Sequence, residues 1–501
     1  MSGGAAMGGM TVSGLMDESG VGFGTSGVRG LVSAMSDRVC YLYTMAFLQY
    51  LLGQGVIGAG DQVAVAGDRR ASTPRIAAAV IAAIRAMGLR PVYCGLIPSP
   101  AVALFGLEQS IATVMVTGSH IPDDRNGIKF NTPAGEILKP DEEAIRRQGM
   151  DPDPSLFDER GNLRSPPTLP VADGAARAAY LDRYMALFPA GLLAGLRVGV
   201  YEHSSVCRDL LGELLRGLGA EVVRLGRSGR FIPVDTEAIR TEDVALALEW
   251  TRERRLDALV STDGDGDRPL VGDERGVWLR GDVAGILTAQ YLGARTVVTP
   301  VSSNSALERS GLFGRTERTR IGSPFVIEAM QRLQAAGAER VVGYEANGGF
   351  LQQTPLEPAG RVLTPLPTRD ALIVILAILA MSRQRGQPLS ALVAALPGRH
   401  THSGRVKAFP VALSRERVGA MRSGQADTDA RAFARSFPGL APVAAIDYTD
   451  GVRFRLDNDE IVHLRPSGNA PELRCYTEAD SVERAHALSV FCLGVMEGWK
   501  D

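Results

Sequence analysis

Asp263-Gly264-Asp265-Gly266-Asp267-Arg268 sets three carboxylates at alternate positions with glycines between them. Such a run can turn its side chains toward one point, where they would repel unless a cation sat among them. An all-oxygen ligand set favours Mg²⁺, Ca²⁺ or Mn²⁺ over zinc. A solvated acidic turn is the plain alternative, and an EF-hand calcium loop is the closer rival. Asp263, Asp265 and Asp267 would be positions 1, 3 and 5 of that loop, Leu270 position 8 and Glu274 position 12. Position 6, however, needs glycine for its sharp turn and here is Arg268, and the flanks read as strand rather than helix.

The second chemical stretch is Ile111 to Phe130, IATVMVTGSHIPDDRNGIKF. It presents the Ser119 hydroxyl beside the His120 imidazole, with Lys129 a few residues on. Thr117-Gly118-Ser119-His120-Ile121 does not match the G-x-S-x-G elbow of α/β hydrolases. A polar loop after a strand is the bland reading, and the other loops weigh against it. Gly22 to Gly30 is glycine-rich and offers Thr25, Ser26 and Arg29 as donors. Tyr344-Glu345-Ala346-Asn347-Gly348-Gly349 is a further polar turn. Arg465-Pro466-Ser467-Gly468-Asn469, followed by Arg474, suits phosphate oxygens, as do Arg29, Lys129 and Arg268. A serine, a divalent cation and several arginines describe phosphoryl transfer more economically than acyl transfer, because that chemistry is mostly positioning and charge neutralisation.

These loops need rigid strands behind them. Ile111 to Val116 is an apolar, β-branched run that reads as a buried strand, and Pro122 forbids a helix directly after it. Upstream, strand 63–66 ends in Gly67-Asp68-Arg69-Arg70. Ser72-Thr73-Pro74 then opens an Ala/Ile-rich helix. The pattern restarts with strand 196–201, helix 205–218, strand 221–225, helix 241–254 and strand 258–261, which ends in the aspartate run. A third pass has helix 282–292, strand 296–299, a helix near 324–335, strand 340–343 ending at Glu345, and helix 370–381. Three βαβ-like units thus each end a core strand in one functional-looking loop. From about His400 the texture changes to a hairpin, 452–456 with 461–464, then the arginine loop, a strand and a helix from Ser481. This predicts a separate α+β domain. Asp151 to Asp173, rich in Pro and Asp, reads as a linker.

At 501 residues the chain is too long for one core, and length suggests roughly three or four domains. A net charge of −2 argues against a nucleic-acid partner. The longest apolar run, Ala371 to Met381, is too short to span a bilayer, so no membrane association is expected. The five scattered cysteines form no C-x-x-C and point to reduced thiols in a cytoplasmic protein. The first twenty residues lack a basic region and read as a flexible tail, not a signal peptide.

Four motifs in order resemble the α-D-phosphohexomutase family of phosphomannomutases and phosphoglucomutases: T-G-S-H with N-G-I-K, D-G-D-G-D-R, E-A-N-G, and R-P-S-G-N with its trailing arginine. The resemblance implies an α/β protein of four domains with the active site in a central cleft. Three are related mixed α/β domains with βαβ units, and the C-terminal one is α+β. The boundaries expected are a tail over 1–20, then 21–165 with a phosphoserine loop and 166–281 with a metal loop. A sugar loop over 282–398 and a phosphate loop over 399–501 follow. It further implies a phosphorylated Ser119 joining Asp263, Asp265 and Asp267 around Mg²⁺. Arg29, Lys129 and Arg268 would line the transfer site, with His120 a candidate acid/base. Thr25, Ser26, Glu345, Asn347, Arg465, Ser467, Gly468, Asn469 and Arg474 would bind substrate. The reaction implied interconverts hexose 6-phosphate and hexose 1-phosphate through a hexose 1,6-bisphosphate that also serves as activator. Mannose phosphate is favoured, with glucose, glucosamine and acetylglucosamine phosphates as alternatives, in a monomer or homodimer. Three positions depart from the family pattern: Ile121 for the usual Asn, Gly349 for a His closing the sugar loop, and Ser323 where some relatives are basic. A sugar-phosphate binding protein with impaired catalysis, or a bisphosphate synthase using the same phosphoserine, are the competing functions.

Overall fold

In the computed structural model, residues 10–24, 27–467 and 471–500 are described. Three successive units share one plan. In the first, Gln62–Gly67 is parallel to both Arg90–Leu96 and Ala112–Val116, and helices Thr73–Ala86 and Ser99–Gln109 make the crossovers. In the second, Arg197–Tyr201 is parallel to Glu221–Leu225 and Ala258–Thr262. In the third, Thr296–Pro300 is parallel to Arg315–Thr319 and Val341–Tyr344.

Each unit then breaks the parallel pattern in the same way. The last parallel strand runs into a loop and returns as an antiparallel neighbour: Arg125–Thr132, Pro269–Gly272 or Phe350–Gln352. The loops at these reversals contain Ser119, the three aspartates and Glu345. An antiparallel return needs only a short turn, so each loop is pinned at both ends by a sheet. That is why three short peptides can aim side chains at one spot.

The fourth unit is antiparallel throughout, ordered His400–Val406, Leu473–Ala479, Ile461–Pro466, Val452–Leu456, Val443–Asp447. Helix Val482–Glu497, capped by the Ser481 hydroxyl, covers it. Its core, including Phe454, Leu464 and Cys492, is its own. The first three units are joined differently, by one apolar cluster running from Ala64 and Val102 through Val200 and Leu287 to Leu376. Helix Ala371–Arg385, buried over residues 371–382, lies within that cluster. Among the described residues no helix is long and apolar enough to cross a membrane.

The tail expectation needs correcting at residues 10–20. Met10–Thr11 pairs with Gly149–Met150, and Val12–Ser19 is a helix capped by the Thr11 hydroxyl. Val12 and Leu15, one turn apart, are fully buried, and Met16 packs beside them. Eight residues with one apolar stripe are a weak helical signal inside a Gly/Ser/Met-rich stretch, and tertiary packing supplies what propensity lacks. The 151–173 stretch is irregular, yet Phe157 and Leu163 are buried in the first unit's core.

Candidate active site

The Ser119 loop is held from beneath. Thr117 Oγ1 donates to Asp68 Oδ2 at 2.8 Å and accepts from the Ser119 amide at 2.7 Å. Arg70, fully buried, pairs with Asp68 and donates to the carbonyls of Ser119, Ile121, Pro122 and Arg125 at 2.6 to 3.0 Å. One guanidinium thus satisfies three carbonyls of the loop and the first carbonyl of the returning strand, as a fork of five donors can. Its face stacks on Phe231 of the second unit, 3.9 Å from the ring centre. Gly118 is required here, since a Cβ would sit 2.6 Å from Arg70 Cζ. Ser119 itself has φ 54°, a left-handed conformation costly for a side chain and paid where surroundings overdetermine it.

Across the unit boundary, Ser119 Oγ donates to Asp263 Oδ2 at 2.5 Å and lies 3.2 Å from His120 Nδ1. The aspartate loop is as tightly built. Asp263 Oδ1 accepts from the amides of Asp267 and Arg268, both at 3.2 Å. Gly266 has φ 74°, and a Cβ there would meet Cys207 Sγ at 2.3 Å. The three aspartates are buried, each offering an oxygen within 4.8 Å of the others. Ser99 Oγ and Lys129 Nζ both donate to Asp265 Oδ2 at 2.6 Å, and Lys129 reaches Asp267 Oδ2 at 2.7 Å. Asp265 Oδ1 and Asp267 Oδ1 are buried and accept no hydrogen bond from the described residues. Two orphaned carboxylate oxygens beside a third carboxylate and a hydroxyl fit a hard divalent cation.

The charges follow from this crowding. Burial, then the two neighbouring aspartates, push the Asp263 carboxyl well up. Burial and Asp267 push Asp265 the same way, but Lys129 and Ser99 outweigh them and hold it low. For Asp267, Arg369, Lys129 and Arg268 together overcome burial and hold it below the usual range. Burial, then Arg268 and Arg369, lowers the Arg29 guanidinium to about 10. Burial, then Arg268 and Arg29, keeps His120 well below the usual imidazole value, so it is neutral at pH 7. The lining cations Arg29, Lys129, Arg268 and Arg369 surround the carboxylates, a balance that suits a phosphoryl group.

The EF-hand alternative is not what forms. The flanks are strands Ala258–Thr262 and Pro269–Gly272. Glu274, its twelfth ligand, instead accepts from the Ser390 hydroxyl and from the Ser390 amide at 3.2 Å.

The loop after strand Val341–Tyr344 contributes Glu345 and Asn347, both buried. Glu345 Oε2 accepts from Arg369 Nη1 at 3.2 Å, and Asn347 Oδ1 accepts from the Gly349 amide at 2.9 Å. Thr236 Oγ1 of the second unit donates to the Asn347 carbonyl at 2.7 Å. Ser323 ties the third unit to the first through Glu136 at 3.2 Å.

In the fourth unit Arg465 and Arg474 stand directly opposite on neighbouring strands, and Arg405 stands opposite Arg474 on the next. Like charges in register are unfavourable by themselves, and an anionic ligand relieves them. Asp450 holds Arg465 at 2.8 Å, while Glu472 is 3.6 Å from Arg405 and 3.8 Å from Arg474. Ser467 is buried, its amide donating to the Glu472 carbonyl at 2.9 Å. Thr25, Ser26, Gly468 and Asn469 lie outside the described residues.

Five residues of the site carry no motif signal of their own: Asp68, Arg70, Ser99, Arg369 and Arg405. A cue existed for the first pair, since Gly67-Asp68-Arg69-Arg70 ends a core strand in a polar run as the other loops do.

The sequence matches the family models described as phosphoglucomutase/phosphomannomutase alpha/beta/alpha domains I, II and III over residues 20–151, 178–276 and 280–400, and the C-terminal domain over 416–492. A phosphomannomutase of Salmonella muenchen is 43% identical over 473 residues, covering 94% of each chain. A phosphoglucosamine mutase of Moorella thermoacetica is 31% identical over 481 residues, covering 92% of this chain and 96% of its own. The fold is that of a solved phosphoglucomutase/phosphomannomutase family protein from Burkholderia thailandensis, with TM-score 0.72 at 20% identity over 95% of this chain and 97% of the other.

Proposed function

The chain belongs to the phosphoglucomutase/phosphomannomutase family and is a phosphohexomutase, and we propose that its substrate pair is mannose 6-phosphate and mannose 1-phosphate. The observation that carries the chemistry is the 2.5 Å contact of Ser119 Oγ with Asp263, beside two orphaned aspartate oxygens. The greater identity to a phosphomannomutase than to a phosphoglucosamine mutase favours mannose.

In this reading Ser119 Oγ is the phosphoryl carrier. Asp263, Asp265 and Asp267 would hold Mg²⁺, which neutralises charge on the group in transfer. The phosphoryl group leaves Ser119 Oγ as its P–O bond breaks, and a new P–O bond forms to the free hydroxyl of the hexose phosphate. The hydroxyl proton passes to a neutral base, and His120 Nδ1, 3.2 Å from Ser119 Oγ, is the candidate. Arg29, Lys129 and Arg268 hold the oxygens of the transferring group. The resulting bisphosphate reorients, and its other phosphoryl returns to Ser119, so the proton and the serine ester are both restored. Glu345 and Asn347 hold ring hydroxyls. Arg465, Ser467, Arg474, and with them Gly468 and Asn469, hold the phosphate that is not reacting, and Thr25 and Ser26 bind substrate from the loop that carries Arg29. Free cysteines at all five positions agree with a cytoplasmic setting.

A panel of hexose 1-phosphates with a trace of hexose 1,6-bisphosphate, read by a coupled assay, tests this. The expected result is Mg²⁺-dependent turnover fastest with mannose 1-phosphate. Faster turnover of glucose or glucosamine phosphate would reassign the sugar. Binding without turnover of any hexose would mean an impaired sugar-phosphate binding protein.

A further inference from the structure

Glycine at 349 is not explained by its own backbone, because its φ is outside the left-handed region. What forbids a side chain there is Arg369. A Cβ on residue 349 would lie 2.6 Å from both Cγ and Cδ of Arg369 and 3.0 Å from its Cβ. The aliphatic stem of Arg369 fills the place a side chain at the mouth of the sugar loop would take.

Arg369 lies on Leu366–Asp370, the strand that follows Phe350–Gln352 in the third sheet, and its side chain is 4% exposed. Its guanidinium spans two loops. Nε and Nη2 each lie 3.1 Å from Asp267 Oδ2, and Nη1 donates to Glu345 Oε2 at 3.2 Å. One planar group therefore links a carboxylate of the metal loop to the carboxylate of the sugar loop. A fork of fixed geometry sets the spacing of the two acids in a way that a single flexible ammonium cannot. Glu345 spends only Oε2 on this bridge. Among the described residues Oε1 accepts no hydrogen bond, so it is the oxygen left for a ligand hydroxyl.

Resting on the mutase reading above, we propose that Arg369 is the positioning residue for sugar recognition. It holds the Glu345 carboxylate in register with the metal loop, so that ring hydroxyls are read at a fixed distance from the phosphoryl centre. The empty position 349 is its complement. A residue serving only the phosphoryl end would matter equally for any phosphate monoester. Arg369 acts through Glu345 and so matters more for a monoester that carries hydroxyls.

The experiment compares equilibrium binding of mannose 1-phosphate with that of cyclohexyl phosphate, a ring monoester without hydroxyls, by titration calorimetry. It uses the full chain as wild type, Arg369→Lys, Arg369→Gln and Gly349→Ala. The wild type should prefer the sugar phosphate strongly, since a site built to bond hydroxyls rejects an analogue lacking them. Arg369→Gln should shrink that preference roughly 10- to 100-fold, the worth of a charge-assisted bond. Arg369→Lys should recover part of it, and Gly349→Ala, which displaces the arginine without removing its charge, should shrink it less. An unchanged preference in both Arg369→Gln and Gly349→Ala overturns the proposal, even if both ligands weaken together. So does a wild type that binds the two ligands alike. If Arg369→Gln does not fold, Arg369→Lys and Gly349→Ala decide by the same ratio. Wild-type turnover is read separately. Its absence would overturn the mutase reading while the binding ratio still reports on Arg369.

Discussion

The three α/β units and the C-terminal unit are joined by opposite kinds of contact. The first three share a continuous apolar core. The fourth keeps its core to itself and meets the third through charges and hydrogen bonds. Across that boundary the Ser305 amide donates to Glu478 at 3.0 Å and Asn304 Nδ2 donates to the Arg399 carbonyl at 2.8 Å, while Arg399 holds Glu478 in place from within the fourth unit at 2.8 Å. The Ile321 amide donates to Asp450 at 3.0 Å, and Asp450 also holds Arg465. A close-packed apolar joint transmits position faithfully, because any shift opens voids. A polar joint can exchange its partners for water and for one another, which makes it the natural place for a hinge. On the roles proposed above, the serine, the three aspartates and the Glu345 loop lie on the fused side and the Arg465 loop on the hinged side, an arrangement that would separate chemistry from capture.

The largest effects should come from the fused side. Ser119→Ala should lower turnover roughly a thousandfold or more, as loss of a covalent carrier does. Intact-mass measurement should find a phosphorylated fraction in the wild type and none in the variant. A variant with wild-type activity would break the comparison at its centre. Asp265→Asn should cost about a hundredfold or more even at saturating Mg²⁺, since a ligand charge facing the transferring group is gone. Activity restored by excess Mg²⁺ would show that Asp265 only tunes affinity.

Substitution on the hinged side should act on binding instead. Arg465→Ala should lower kcat/KM roughly thirty-fold, about 2 kcal/mol, with Mg²⁺ affinity and Ser119 phosphorylation unchanged. Remote contacts hold the reacting end in place, so some of that loss should appear in kcat. A loss of metal binding in this variant would mean that the two sides are not separate. Glu478→Gln, which weakens the buried pair with Arg399, should raise KM only a few-fold by making closure less favourable, a change of about 1 kcal/mol. Hydrogen exchange should quicken at residues 399–406 and not at 262–269. Equal quickening in both would deny the joint its independence.

The same division decides what could be read from the sequence. The loops were legible because each interrupts a strongly apolar strand: Ile111 to Val116 runs into Thr117, and Ala258 to Ser261 into Asp263. The strand Arg315–Thr319 was not, since Arg-Thr-Glu-Arg-Thr at a sheet edge carries no apolar pattern. Helix Asp37–Gly53 is apolar on most sides because it is buried on most sides, and periodicity then fades. Arg70 and Arg369 escaped for a further reason. Their roles depend on what the fold brings beneath Ser119 or beside Gly349, and neither neighbour is near them in the chain. Ser99, whose hydroxyl meets Asp265 from another unit, is the same case.

The smallest expected effect discriminates most sharply between a phosphoryl-transfer metal site and a calcium loop. In an EF-hand the residue at position 12 is a bidentate ligand, and its loss collapses affinity. Here Glu274 sits past the returning strand Pro269–Gly272 and accepts from Ser390, the first turn of helix Leu389–Ala394. Burial acts to raise its carboxyl, but the Ser390 hydroxyl and nearby amides outweigh it and hold it below the usual range. The stabilisation from a depressed carboxyl is present above the unfolded value, about 4.3, and is lost as pH falls through the folded one. Glu274→Gln keeps an oxygen to accept from Ser390 and gives up only the charge. Its cost should therefore stay under about 1 kcal/mol at pH 7 and vanish in acid. Mg²⁺-dependent turnover and metal binding, measured beside Asp265→Asn, should match the wild type. A Glu274→Gln protein that loses its metal, or a wild type supported better by Ca²⁺ than by Mg²⁺, would undo the assignment of this loop to phosphoryl transfer.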